Sequence, residues 1–273
     1  QSALLDRGES LDAALIKLGR MQSRRVDDWH DEQPGRIPYQ MRTGPLALLD
    51  INPYSAYYAD FASPLMYVIA LGNLYAWTGD LGRVRRHWDT ARRILDWARQ
   101  YGDPDGDGYL EYQTRSRKGT KNQGWKDSGD AIIYDDGSPG PSPIATCEGQ
   151  GYWYVAQELM AVLSVAMDAR GDAAGHWRSA AGLKARFNRD WWVEDEQFFA
   201  LALDPDKRPV RAVTSNVGHC VARGIVDEAP LPPVVGWMRG GSTHGEQSQG
   251  AHAEQERRGE VHGQRPAPER KER

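Results

Sequence analysis

The chain is 273 residues long, enough for one large domain or two small ones. Its 40% hydrophobic and 26% charged content is that of a soluble globular protein, and a net charge of −4 without a basic, aromatic-interleaved stripe excludes a polyanion-binding surface. Cys147 and Cys220 are too few for a disulfide framework and lack metal-ligand spacing.

Leu11, Ala14, Leu15, Leu18 and Met21 recur at helical spacing and predict a first helix from about Glu9 to Arg25. Ser63-Pro64 opens a second, apolar nearly all round through Leu65, Val68, Ile69, Leu71, Leu74 and Trp77, and Gly79 closes it. Asp80 caps a third, with the stripe Leu81, Val84, Trp88, Ala91 and Leu95, and Gly102 ends it; the pair reads as an αα-hairpin. The pattern repeats from Gly151 to Arg170, stopped by Gly171, and Asp172 opens a partner carrying Trp177, Ala180, Ala181, Leu183 and Phe187. Phe198 to Leu203 reads as a short strand, and Val217 to Ile225 as a short helix. Trp88, Trp97 and Trp177 are expected in the helical core.

From Arg239 to Arg273 the only large aliphatic residue is Val261 and there is no aromatic, so this segment is expected to be disordered. His244, His252 and His262 form no compact metal pattern. A domain over residues 1–237 and a low-complexity tail over 238–273 follow. No apolar run could span a bilayer and no signal-peptide pattern precedes Leu11, so neither a membrane nor a nucleic-acid partner is expected and the location is expected to be cytoplasmic.

The long connection from Tyr101 to Asp130 carries the chemistry. It gathers carboxylates, amides and a Trp beside glycines, the groups used to hold and cleave a sugar, although a polar surface loop would look similar. Ten Trp and twelve Tyr against four Phe suit stacking on sugar rings. Asp127 follows Gly124, Trp125 and Lys126, and a carboxyl against an indole can be kept protonated as a general acid requires. Asp103, Asp105, Asp107 and Gly108 match the first half of an EF-hand loop, but Thr114 stands where the closing Glu belongs. Asp-Gly turns explain the same residues without an ion, and no metal or cofactor is expected.

Several ordered motifs then resemble the amylo-α-1,6-glucosidase-like, or glycogen-debranching-like, glycoside hydrolases. They are GRIPYQMRTG (Gly35–Gly44), Tyr57-Tyr58 leading into SPL, LYAWTGDL (Leu74–Leu81), YGDPDGDGYLEY (Tyr101–Tyr112), NQGWKDSGDAI (Asn122–Ile132), EGQGYWYVA (Glu148–Ala156), RFNRDWWVED (Arg186–Asp195), FALALDPDKRPV (Phe199–Val210) and TSNVGHCVARGIVD (Thr214–Asp227). The resemblance covers about residues 10 to 228. It implies an all-α, (α/α)6 toroid of the six-hairpin type, present incompletely, and an inverting hydrolase of α-glucans or related oligosaccharides.

Carried over residue by residue, the resemblance makes Asp127 the general acid, shielded by Trp125. Gln123 and Lys126 are implied as contacts to substrate hydroxyls or a second carboxylate. Glu148 and Gln150 would face the same cavity, and Asn216 and His219 would touch sugar. Tyr58, Asp60 and Asp130 complete the implied substrate-binding set. Phe61 stands where the family places an Asp, with Asp60 one step back, and Ala222 stands where Trp is common.

Beyond Glu228 the resemblance stops, as a truncation or shifted reading frame would produce. The second catalytic carboxylate is expected farther on in the family, so hydrolysis by the chain as written is expected to be impaired. A carbohydrate-binding remnant without turnover is the alternative, and a helical scaffold for protein partners a weaker third.

Overall fold

The computed structural model describes residues 6–240. Among them are the helices α1 (Glu9–Arg20), α2 (Pro45–Leu48), α3 (Ala62–Thr78), α4 (Leu81–Tyr101), α5 (Cys147–Ala166), α6 (Arg170–Asp190), α7 (Asn216–Arg223) and α8 (Leu231–Gly240). None of the described helices is long and apolar enough to cross a membrane.

The α3–α4 hairpin forms as its punctuation dictates. Gly79, at φ 64°, ends α3 in the left-handed conformation and its N–H reaches Tyr75 O at 2.8 Å. Asp80 then accepts from the N–H groups of Gly82 (2.8 Å) and Arg83 (3.2 Å), capping α4. In α4 the buried side is Val84, Ala91, Ile94, Leu95 and Ala98, while Arg85, Arg86 and Arg92 face water. Helix α3 is buried round most of its circumference, with Leu65, Tyr67, Val68, Ile69, Leu71 and Leu74 inaccessible, because it packs on α4 on one side and α5 on the other. It opens at Asn73 and over its last turn, where Trp77 is exposed.

The α5–α6 hairpin repeats this plan, with α6 behind α5 and α7 against α5's other side. The inner helices α3, α5 and α7 therefore form one layer, backed by α4 and α6. Their N-termini meet: Phe61, at the N-cap of α3, lies against Gly149 in the first turn of α5, and Glu148 of that turn bonds Asn216, the first residue of α7. Each brings the positive end of a helix dipole to the same place.

The expectation of an all-helical chain needs amending, because five two-residue strands trim the long connections. β1 (Ala145–Thr146), β4 (Ala202–Leu203) and β5 (Pro209–Val210) form an antiparallel sheet in the order β1-β4-β5, with Thr146 opposite Ala202 and Ala202 opposite Val210. β2 (Trp192–Val193) pairs with β3 (Phe198–Phe199). The run from Phe198 to Leu203 is thus two strands serving two ladders, not one.

Other boundaries shift for local reasons. α1 ends at Arg20, five residues early, because Ser23 pairs through its backbone with Arg36 and Gly35, at 2.9 Å each. α5 starts at Cys147 and ends at Ala166, where Asp168 takes the left-handed stop (φ 61°) expected of Gly171, which falls inside α6 instead. Trp97 is buried and Trp88 half-buried, but Trp177 is exposed, a correction: it sits at the rim of the Ala173–Ala180–Leu183–Phe187 stripe. Helix α8 reaches Gly240, three residues into the segment expected as tail; residues 241–273, with the histidines at 244, 252 and 262, lie outside the described residues.

Candidate functional site

At the meeting of the three inner N-termini is a cavity of about 250 Å³, lined by Tyr39, Ala59, Asp60, Ala62, Thr120, Asn122, Gln123, Gly124, Trp125 and Asp127. The volume is at the small end for ligand sites and suits a single small ring. Its floor and wall come from the Asn122–Asp130 turn of the long connection, which is pinned by several hydrogen bonds. Asn122 donates to Ser128 O at 2.6 Å, Trp125 N–H donates to Glu148 Oε1 at 3.1 Å, and Tyr39 donates its phenolic hydrogen to Asp127 Oδ2 at 2.9 Å. Gly124 is needed there, since a Cβ would come within 2.8 Å of Glu148 Oε1.

Two carboxylates share the cavity. Asp127 is exposed at its mouth. Asp60 accepts from Ala62 N–H (2.8 Å), from Ser63 N–H (3.1 Å) and from the Ser63 hydroxyl, capping α3 although it stands one residue before the N-cap position. Burial pushes the Asp60 carboxyl above its ordinary range, against the pull of those donors and of the Arg36 charge. Burial, with the Asp127 carboxylate second, pushes the Tyr39 phenol up to about 12.

The sequence-derived residues fall into three groups. Asp60, Gln123, Trp125 and Asp127 line the cavity. Glu148, Asn216 and His219 stand directly behind its wall. Glu148 is buried, holding Trp125 N–H on one oxygen and Asn216 Nδ2 on the other (3.0 Å), and Asn216 is fully inaccessible. The His219 imidazole lies 4.7 Å from the Trp125 ring centroid and bonds Tyr152 OH through Nδ1 at 3.0 Å. Burial depresses the His219 pKa, against the pull of the Glu148 carboxylate and with the Arg223 charge adding to it.

The third group stands apart from the lining. Gln150 is fully buried and its amide joins Leu110 N–H, Leu110 O and Thr146 O. Tyr58 donates to Met21 O at 3.1 Å. Lys126 is half-buried and Asp130 exposed, both outside the cavity lining. The indole expected to shield Asp127 is itself 61% exposed and packs on His219.

Two residues with no role read from sequence matter here. Tyr39 holds Asp127 from 88 residues away. Arg36, fully buried, donates to Gln123 Oε1 at 3.1 Å and lies over the Trp97 ring at 5.0 Å; burial draws its pKa down to about 10, still charged at neutrality. Both lie in GRIPYQMRTG, and that motif was the only signal available.

No known sequence-family profile matches the chain, and no curated protein matches it by sequence. Solved structures do. The GH78 family rhamnosidase of Bacillus sp. GL1 superposes with a TM-score of 0.52 at 16% identity, over 68% of this chain and 18% of that one. The rhamnosidase from Klebsiella oxytoca with rhamnose bound gives a TM-score of 0.49 at 13% identity, over 76% of this chain and 35% of that one. The chain thus spans about a fifth of the first protein's length and about a third of the second's. The likeness to the Bacillus protein shows the fold alone: about two thirds of this chain follows part of a rhamnosidase of the helical-toroid class.

Proposed function

We propose that the chain is the cavity-bearing part of a glycoside hydrolase, binding one sugar ring in the Asp60–Asp127 cavity and using Asp127 to protonate the leaving oxygen. The observation that carries this reading is the convergence in one 250 Å³ cavity of two carboxylates, an exposed indole and the amide of Gln123. The indole offers a flat apolar face for a pyranose, and the carboxylates beside it match its hydroxyls. A ring seated there would cover Asp127, remove water from it and favour proton donation. Because both Asp60 oxygens already accept hydrogen bonds from α3's first turn, Asp60 is assigned to orient a sugar hydroxyl. Water activation in an inverting reaction then needs a second carboxylate roughly 6.5–9.5 Å from Asp127.

The motif resemblance favours an α-glucan or related oligosaccharide, cleaved by an amylo-α-1,6-glucosidase-like reaction. The second reading, binding without turnover, is favoured by the same Asp60 bonds: they tie Asp60 to α3, so the cavity holds no second carboxylate free to activate water. One experiment separates the two. The protein is incubated with 4-nitrophenyl α-glucoside, 4-nitrophenyl α-rhamnoside, maltooligosaccharides and a branched glucan, with release and calorimetric binding both measured. Release that vanishes in Asp127→Asn supports hydrolysis, and the preferred glycone names the substrate. Binding without release supports the second reading. Release from the maltooligosaccharides or the branched glucan, whose leaving oxygen must be protonated, that is undiminished in Asp127→Asn removes Asp127 from the mechanism; 4-nitrophenolate leaves unprotonated and reports only the glycone.

A further inference from the structure

We propose that Asp103, Asp105, Asp107 and Glu111 form a divalent-cation site of the oxygen-rich kind that takes calcium, with the Lys207 ammonium as the counter-ion that the metal displaces. The inference is independent of the sugar-binding reading, since none of these residues lines that cavity.

Carboxylate oxygens of Asp103, Asp105 and Asp107 all lie within 4.8 Å of one another. Calcium binds oxygen at 2.3–2.6 Å, so one ion between them can touch all three. Asp103 is held in place by accepting from Gly106 N–H (2.8 Å) and Gly108 N–H (3.0 Å), which leaves its other lone pairs free to face inward. The spacing is that of positions 1, 3 and 5 of a calcium loop, with Gly108 at the sixth place, and Glu111 falls at the ninth.

Glu111 supplies the second, independent observation. Its side chain is 1% exposed, and its Oε2 is buried without a hydrogen-bond partner. An orphaned carboxylate oxygen inside a protein is costly and calls for a donor or a cation. Its other oxygen already marks the focus of the cluster: Lys207 Nζ lies 2.5 Å from Glu111 Oε1 and 2.7 Å from both Asp105 and Asp107. Positive charge is therefore wanted at this point, yet three carboxylates share one ammonium, and Asp103, within 4.8 Å of Asp105 and Asp107, has no ion pair among the described residues. Arg186, beside the loop, is directed at the Gly108 carbonyl (3.4 Å) and the Tyr109 ring. A dication satisfies the excess charge and the orphaned oxygen together, and Lys207, 30% exposed on its turn, has room to swing out. Bound metal would tie the 103–111 loop firmly in place, and Tyr112 of the same strand-like segment bonds Asn122 in the cavity wall (3.0 Å).

The test uses terbium luminescence sensitised by Tyr109 within the loop, with calcium as competitor and magnesium as control. The chelator-treated protein is expected to give saturable emission that micromolar to millimolar calcium displaces, as in known calcium loops. Asp107→Asn should weaken terbium binding by about tenfold or more, and Lys207→Met, which removes the competing ammonium, should strengthen it. Circular dichroism checks folding; should Asp107→Asn not fold, the Lys207→Met comparison decides. Emission absent up to millimolar terbium, or unchanged in Asp107→Asn, overturns the proposal. A Lys207→Met protein whose melting temperature calcium does not raise overturns it as well and makes Lys207 the permanent cation of the loop.

Discussion

Tyr39 and Asp127 are 88 residues apart and joined by a 2.9 Å hydrogen bond at the mouth of the cavity. The phenol comes from the GRIPYQMRTG segment and the carboxylate from NQGWKDSGD, so the bond closes the site between two loops that share no helix. An exposed carboxylate on a loop has many rotamers, and a fixed donor restricts them before substrate arrives.

Tyr39→Phe should therefore reduce kcat/KM for the preferred glycoside by about tenfold, the value of one ordinary hydrogen bond. Asp127→Asn should reduce it by about 10²–10⁴-fold, as loss of a general acid does. Because Tyr39 is held up to about 12, it stays protonated across pH 5–9, and the Tyr39→Phe deficit should be flat over that window. A deficit that grows from pH 7 to pH 9 would contradict this placement.

Glu148 works from beneath. Removing it in Glu148→Ala strands two donors, Trp125 N–H and Asn216 Nδ2, in a buried space between α5 and α7. The expected loss is about 2–5 kcal/mol in urea denaturation. Glu148→Gln keeps one acceptor and turns an amide toward the other donor, so its loss should be intermediate. Wild-type stability in Glu148→Ala would show that the carboxylate is not the tie between these helices.

The hairpins were legible because their signals are local: an apolar run, Gly79 and Asp80 in sequence, and an arginine-flanked stripe. The cavity was half legible. Its carboxylates and indole stand together in one loop, but Tyr39 and Arg36 reach it through contacts across 88 and 87 residues that no window of sequence contains. β1, β2 and β5 were hidden because two residues carry no period, and β3 and β4 showed only as one run. Glu148 and Asn216 read as sugar contacts because polar residues at helix starts look alike whether they face a ligand or each other; only burial separates the cases. Lys207 lies 96 residues from Glu111, so the Asp103–Asp107 turns showed neither their ammonium nor their fourth carboxylate.

Phe61 explains why a departure from the motif is tolerated. Its ring is buried against the first turn of α5, where a Cβ built on Gly149 would lie 2.0 Å from Phe61 Cζ. Gly149→Ala should push the ring off this contact and cost about 1–3 kcal/mol. For a domain of this size that lowers the melting temperature by roughly 2–4 °C per kcal/mol. Phe61→Leu in the same chain should recover part of the loss by making room. If Gly149→Ala melts with wild type, the approach of α3 to α5 is looser than described.

The α1 helix is fixed to the first hairpin by charge. Asp12 Oδ1 lies 2.7 Å from His87 Nε2, its other oxygen bonds Arg86, and His87 Nδ1 meets Tyr67 OH at 2.8 Å. Burial pushes the Asp12 carboxyl up, but its bonds to His87 and Arg86 together outweigh this and hold it below the ordinary 3.8. A carboxyl whose pKa is lower folded than unfolded binds fewer protons when folded. Its contribution is thus complete above 3.8 and disappears as pH falls through the folded value. Asp12→Asn should therefore cost about 1–3 kcal/mol at pH 6, and the gap between the two proteins should narrow as pH is taken from 5 toward 2. Urea midpoints at those pH values measure it. A gap that stays constant or widens in acid would mean that the carboxylate's charge is not what anchors α1.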